Sequence, residues 1–102
     1  MAEQIGIIGV DAGLVWIGDP CYCVTPDATE HPAPTWHEFC ELLDHSTDAQ
    51  QFNYHKGHPG LGVCVGGFGG DGSYPVFCER DATGQIVAVT VRFDCPPHPK
   101  VK

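Results

Sequence analysis

Thirteen glycines and nine prolines punctuate this chain of 102 residues, and this limits its fold more than any other feature. Glycine opens positive φ to the backbone, and proline removes an N–H that a helix interior or sheet ladder needs. At more than a fifth of the residues, these breakers favour short strands joined by turns over a helical bundle. The length suits one small domain, able to bury roughly 65 % of its unfolded surface and to form a core without covalent staples.

Between the breakers the apolar pattern is that of strands. Gln4 to Val10 carries Ile5, Ile7, Ile8 and Val10, and a turn at Asp11-Ala12-Gly13 followed by Leu14 to Ile17 predicts a β-hairpin. Leu61 to Val65 and Ser73 to Glu79 read as strands. Gln85 to Phe93 alternates, with Val87, Val89, Val91 and Phe93 on one side. One helix is expected over Trp36 to Asp44. Thr35 and Glu38 have capping-box spacing, and Trp36, Phe39, Cys40 and Leu43 share a face at helical period. The stretch from His45 to Gly60 is polar and broken, which predicts loop. The expected architecture is mainly β (α+β): an antiparallel sheet of about five strands under one amphipathic covering helix. It forms a single globular domain over residues 1–94, with a proline-rich tail over 95–102.

Thirteen acidic side chains against five basic ones give a net charge of −8. A duplex-binding protein needs a basic stripe to displace phosphate counterions, so duplex nucleic acid is not an expected partner. The N-terminal segment has no basic n-region. Its apolar run is cut by Gly6 and Gly9, so neither a secretory signal nor a membrane span is expected. This places the chain in the cytoplasm, with its six cysteines as thiols.

Gly67 to Gly72 matches G-x-G-x-x-G literally. A dinucleotide site needs a helix to open there, and the strand-like Ser73-Tyr74-Pro75-Val76-Phe77 follows instead. The segment therefore reads as a glycine-rich connection, most simply a long hairpin loop. Its exposed N–H groups would lie beside Asp71, Ser73 and Tyr74. Four aspartates, at positions 11, 19, 71 and 94, fall at strand ends. Asp19 before Pro20 suits an Asx-turn, and convergence of Asp11, Asp19 and Asp71 would make a hard-cation site. Cys21, Cys23, His55 and His58 are candidate zinc ligands, although their one-residue and two-residue gaps depart from the usual paired spacing. Histidine and cysteine recur, but in no nucleophile signature, so no catalytic residue is assigned and no cofactor is expected.

The motifs Val10-Asp11-Ala12-Gly13, Asp19-Pro20-Cys21-Tyr22, Gly69-Gly70-Asp71-Gly72-Ser73-Tyr74-Pro75-Val76, a Gly84 turn and Val91-Arg92-Phe93-Asp94 resemble a bacterial and phage family, the domain of unknown function family 4241. The likeness covers about half of the chain, at its two ends. Ala12 stands where the family pattern has serine, and the extra glycines at positions 66, 67 and 70 depart from it. The resemblance implies a compact β-rich domain, stand-alone phage proteins among its short members, and no particular activity.

These readings converge on a small non-enzymatic binding protein of phage type. It would sequester a small nucleotide-like signal or block a host protein, in an anti-defence role. The expected ligand-binding residues are Asp11, Asp19, Tyr22, Phe68, Asp71, Ser73 and Tyr74. Phe68 and Tyr74 would stack a base while loop N–H groups meet phosphate. The negative charge opposes an anionic ligand and suits an acidic face that occupies a basic host protein. The alternatives are a metal-dependent hydrolase using Asp11, Asp19 and Asp71, and a zinc-stabilised structural module. A homo-oligomer is compatible with a small sheet whose edges need cover.

Overall fold

The computed structural model describes residues 2–21, 35–54 and 57–97. They form six strands and one helix: β1 (Ala2–Val10), β2 (Val15–Gly18), α1 (Trp36–Leu42), β3 (Ala49–Phe52), β4 (Gly62–Val65), β5 (Gly72–Arg80) and β6 (Ile86–Val91). No helix among the described residues is long and apolar enough to cross a membrane. The strands form about where the apolar alternation places them, and the protein is β-rich. The pairing differs from expectation. Instead of one sheet of about five strands there are two three-stranded antiparallel sheets, ordered β1-β5-β6 and β2-β4-β3.

The expected β1–β2 hairpin does not form. β1 pairs with β5, from Ala2 opposite Glu79 to Val10 opposite Gly72, and β2 pairs with β4. Both β1 and β5 are nine residues long, whereas β2 has four. A four-residue β2 could pair with less than half the length of β1 and would leave the rest of its inward backbone groups unmatched. The glycine segment before β5 is likewise no hairpin loop, because it joins β4 of one sheet to β5 of the other. By contact the chain divides into two compact units, Met1–Gly13 with Phe68–Lys102, and Leu14–Gly67.

In the first unit β5 is the central strand. Pro75 lies within it, where a missing N–H would ordinarily break the ladder. It is tolerated because its partner is Arg92, one residue beyond the end of β6. The Arg92 N–H donates to the Pro75 carbonyl at 3.2 Å, and the return bond that proline cannot make falls outside the paired region. Pro75 and Cys78 are almost fully buried.

The second unit is built on a close approach between Trp16 and two glycines. Gly18 and Gly62 are direct partners across β2 and β4, and a Cβ on Gly62 would collide with the Trp16 indole. The ring lies over this bare patch of sheet. Phe39 of α1 then packs against Trp16 and Phe52, with ring centroids 5.8 and 4.8 Å apart, over a core of Phe52, Leu61 and Cys64. The helix is thus a cover for the β2-β4-β3 sheet. Thr35 caps it as its spacing predicts: its hydroxyl oxygen accepts the Glu38 N–H at 3.2 Å and donates to the Glu38 carboxylate at 2.8 Å. One helix residue departs from expectation. Trp36 is 59 % exposed, its ring stacked on Phe39 at 5.6 Å. As the first helical residue it sits at the end of the covering face, where its indole lies over the Phe39 ring and remains open to solvent.

β3 lies in the stretch expected to be loop. Its sequence, Ala-Gln-Gln-Phe, offers a single apolar residue large enough to signal a buried face, and Phe52 is that residue, 4 % exposed. Gln50 points the same way and ties the strand to the helix. Its carboxamide nitrogen donates to the Leu42 carbonyl at 2.9 Å, and its oxygen accepts the Asp44 N–H at 2.8 Å. It thereby satisfies backbone groups that the end of α1 would otherwise leave unpaired.

Candidate functional site

The β1–β5 register determines which of the strand-end aspartates meet. Gly9 lies opposite Ser73 and Val10 opposite Gly72. The same count carries Asp11 to the position opposite Asp71, just past both strand ends. The two carboxylates line one open groove of about 580 Å³ with Gly9, Val10, Gly72 and Ser73. Among the described residues no basic side chain lines it. Both arginines of this unit are committed elsewhere: Arg80 to Glu3 at 2.9 Å, and Arg92 to Asp94 through two bonds of 2.9 and 2.6 Å. The Arg92 guanidinium holds the Asp94 carboxyl below its ordinary pKa.

Beside the groove the glycine loop is fixed by an aromatic cluster. Gly69 and Gly70 adopt φ of +110° and +89°, angles that residues with a Cβ rarely take. The Tyr74 hydroxyl donates to the Gly70 carbonyl at 2.8 Å and staples the loop to β5. Continuing the β5–β6 register sets Phe93 opposite Tyr74, and the two rings meet edge-on at 5.1 Å. Phe68 completes the cluster, stacked on Phe93 at 4.0 Å and edge-on to Tyr74 at 5.4 Å. Rings in these geometries attract one another beyond the area they bury. The Phe68 ring is therefore engaged within the protein, and its half-buried position makes it a packing residue. Phe93 was not among the expected site residues. Its signal was the alternation from Val87 to Phe93, which placed it on a strand face and left its partner across the sheet unspecified.

Asp19 belongs to the second unit, where its carboxylate accepts the Cys21 N–H at 2.9 Å in an Asx-turn. Tyr22 lies outside the described residues, as do Cys23 and His55 of the proposed zinc set. Among the described residues no three or more histidine, cysteine, aspartate or glutamate side chains are placed to share a metal ion. The five described cysteines are free thiols. Cys64 and Cys78 are buried and Cys21 and Cys95 exposed, and burial pushes the Cys64 thiol pKa up.

The second unit also presents an acidic surface. Glu38, Glu41, Asp44 and Asp48 are exposed, and among its described residues there is no lysine or arginine. His37 faces Glu41 at 3.7 Å across one helical turn, an exposed pair of small energetic weight.

Comparison with known proteins adds nothing to this geometry: the chain matches no family model, no curated protein and no solved structure.

Proposed function

We propose that the chain is a small non-enzymatic binding protein, of the phage type its motifs resemble, that blocks a protein partner by occupying a basic surface. The observation that supports this reading is the groove at the ends of β1 and β5, where Asp11 and Asp71 stand with Ser73 and, among the described residues, no cationic side chain lines the walls. Two carboxylates and a hydroxyl offer acceptors matched to a lysine ammonium or an arginine guanidinium. A net charge of −8 speeds the approach of a basic partner and repels an anion. The sequestering of a nucleotide-like signal is the weaker variant. It needs Phe68 and Tyr74 free to stack a base, whereas both rings are engaged with Phe93.

Calorimetric titration separates the two. An arginine-rich peptide and a nucleoside diphosphate are each titrated into the wild type and into the Asp11→Asn/Asp71→Asn variant. A second variant, Glu38→Gln/Glu41→Gln, carries the same charge change on α1. The expected result is peptide binding that weakens about tenfold in the groove variant and much less in the helix variant. Equal losses in the two variants would reduce the effect to net charge and remove the groove from the site. Binding of the nucleotide, lost on Phe68→Ala, would restore the sequestering reading.

A further inference from the structure

We infer that β6 is a self-association edge, through which two copies of this chain pair antiparallel about Val89; this goes beyond the binding reading and does not depend on it. Among the described residues β6 pairs with β5 alone, so its other edge is open. The pairing shows which groups face outward. The Arg92 N–H points to β5, and so, two and four residues earlier, do those of Thr90 and Ala88. Backbone groups alternate along a strand, so the N–H and C=O of Val89 and Val91 point away from the sheet.

Open edges are normally guarded by a lysine, a proline, a bulge or an inward-pointing charge. β6 has the sequence Ile-Val-Ala-Val-Thr-Val, with no charge and no proline. The register irregularity between Glu79 and Arg80 falls opposite its first residues and leaves Ala88 to Val91 in regular pairing. Val87 and Val89 are 60 % and 62 % exposed, and Ile86 is 43 % exposed. A short, uncharged, β-branched segment of this kind favours strand-to-strand pairing with its own copy.

The self-pairing signature of this segment and its neutrality point to a second copy as the occupant. The chain as a whole is acidic, yet β6 is neutral along its length. Its flanking cations are already matched, Arg92 by Asp94 and Arg80 by Glu3. An edge without charge offers nothing to select a basic or an acidic partner, and two such edges meet without local repulsion. The −8 of each copy opposes pairing at low ionic strength, so added salt should favour the dimer. An antiparallel dyad on Val89 sets Val89 against the partner's Val89 and Val87 against the partner's Val91. Outward N–H groups then meet outward carbonyls, and the valine pairs share one face. The same arrangement brings the Arg92–Asp94 pair of each copy toward the partner's Asp81–Gln85 turn. A six-residue edge buries less than the roughly 800 Å² per partner of a standard interface, so the dimer is weak and dependent on concentration.

Sedimentation of the wild type from about 1 µM to about 1 mM is expected to show monomer giving way to dimer. Val89→Lys, at an exposed position, is expected to keep the native circular dichroism spectrum and raise the dimer dissociation constant at least about tenfold. In the wild type, hydrogen exchange at the Val89 and Val91 amides should slow as concentration rises, while the Thr90 amide, already bonded to β5, stays constant. A monomer across the whole range overturns the proposal. So does a dimer that natively folded Val89→Lys leaves unchanged, or one that forms without slowing the Val89 amide.

Discussion

Three exposed aspartates illustrate how single residues couple this fold to pH. Asp44 is held below its ordinary value by the Ser46 hydroxyl and N–H, and Asp81 by the hydroxyl and N–H of Thr83 and the N–H of Gln85. Asp94 is held down by the Arg92 guanidinium. Each carboxyl has a lower pKa folded than unfolded, so the folded chain binds fewer protons in acid. Their stabilisation is complete above the unfolded value of 3.8 and is lost as pH falls through the lower folded values. Urea midpoints are therefore expected to show no loss from these carboxylates between neutrality and about pH 5 and to fall below that. In Asp81→Asn the acid slope should be shallower. A variant with the wild-type slope would show that the turn hydrogen bonds of Asp81 do not contribute. These residues act at turns and caps, and their roles were partly readable: Asp81-Ala82-Thr83-Gly84 is a turn signature whichever sheet it serves.

Strands and helix hold together here through shape as much as through hydrophobicity. The β2–β4 pair keeps two facing glycines so that the Trp16 indole can lie against the sheet and receive Phe39 from α1. Gly62→Ala is expected to lower the unfolding free energy by about 1–3 kcal/mol, because the added methyl overpacks the space that the ring fills. Gly6→Ala is the control: no atom lies within 4 Å of a Cβ at Gly6, and a change within about 0.5 kcal/mol is expected. Chemical denaturation of the two variants beside the wild type measures both. Equal midpoints for Gly62→Ala and wild type would mean that the indole can move aside at no cost. Gln50 shows the same interdependence in polar form, since its bonds to Leu42 and Asp44 join β3 to the end of α1. Nothing in the local sequence marks that glutamine, because the groups it satisfies are six and eight residues away.

Each of the two units has a buried cysteine among its described residues, Cys64 in Leu14–Gly67 and Cys78 in the unit that contains β5. A thiol that water does not reach, and whose thiolate is disfavoured as in Cys64, reacts only when its surroundings open. Thiol labelling of the native protein, mapped by peptide mass spectrometry, should modify Cys21 and Cys95 promptly and Cys64 and Cys78 slowly. With rising denaturant, Cys64 and Cys78 then report the opening of their own units separately. Labelling of Cys78 as fast as of Cys95 in native buffer would contradict the burial of the central strand. The groove has the same dependence on overall topology. Asp11 and Asp71 are sixty positions apart, and only the long β1–β5 ladder makes them neighbours.

The approximate positions of five of the six strands and of α1, and the capping of α1, follow from local chemistry. Glycine, proline, alternation at period two and a T-x-x-E spacing act within a few residues, and each carries its signal in the sequence. Partner choice depends on interactions that are not local. β1 pairs with β5 because equal lengths satisfy the most backbone groups, and β3 is a strand because β4 presents it a ladder edge. Asp19 keeps its Asx-turn whatever its surroundings, while Phe68 becomes a packing residue only because Phe93 arrives across the sheet. Backbone hydrogen bonds are the same for every residue type, so a sequence encodes where strands can form more plainly than which strands meet.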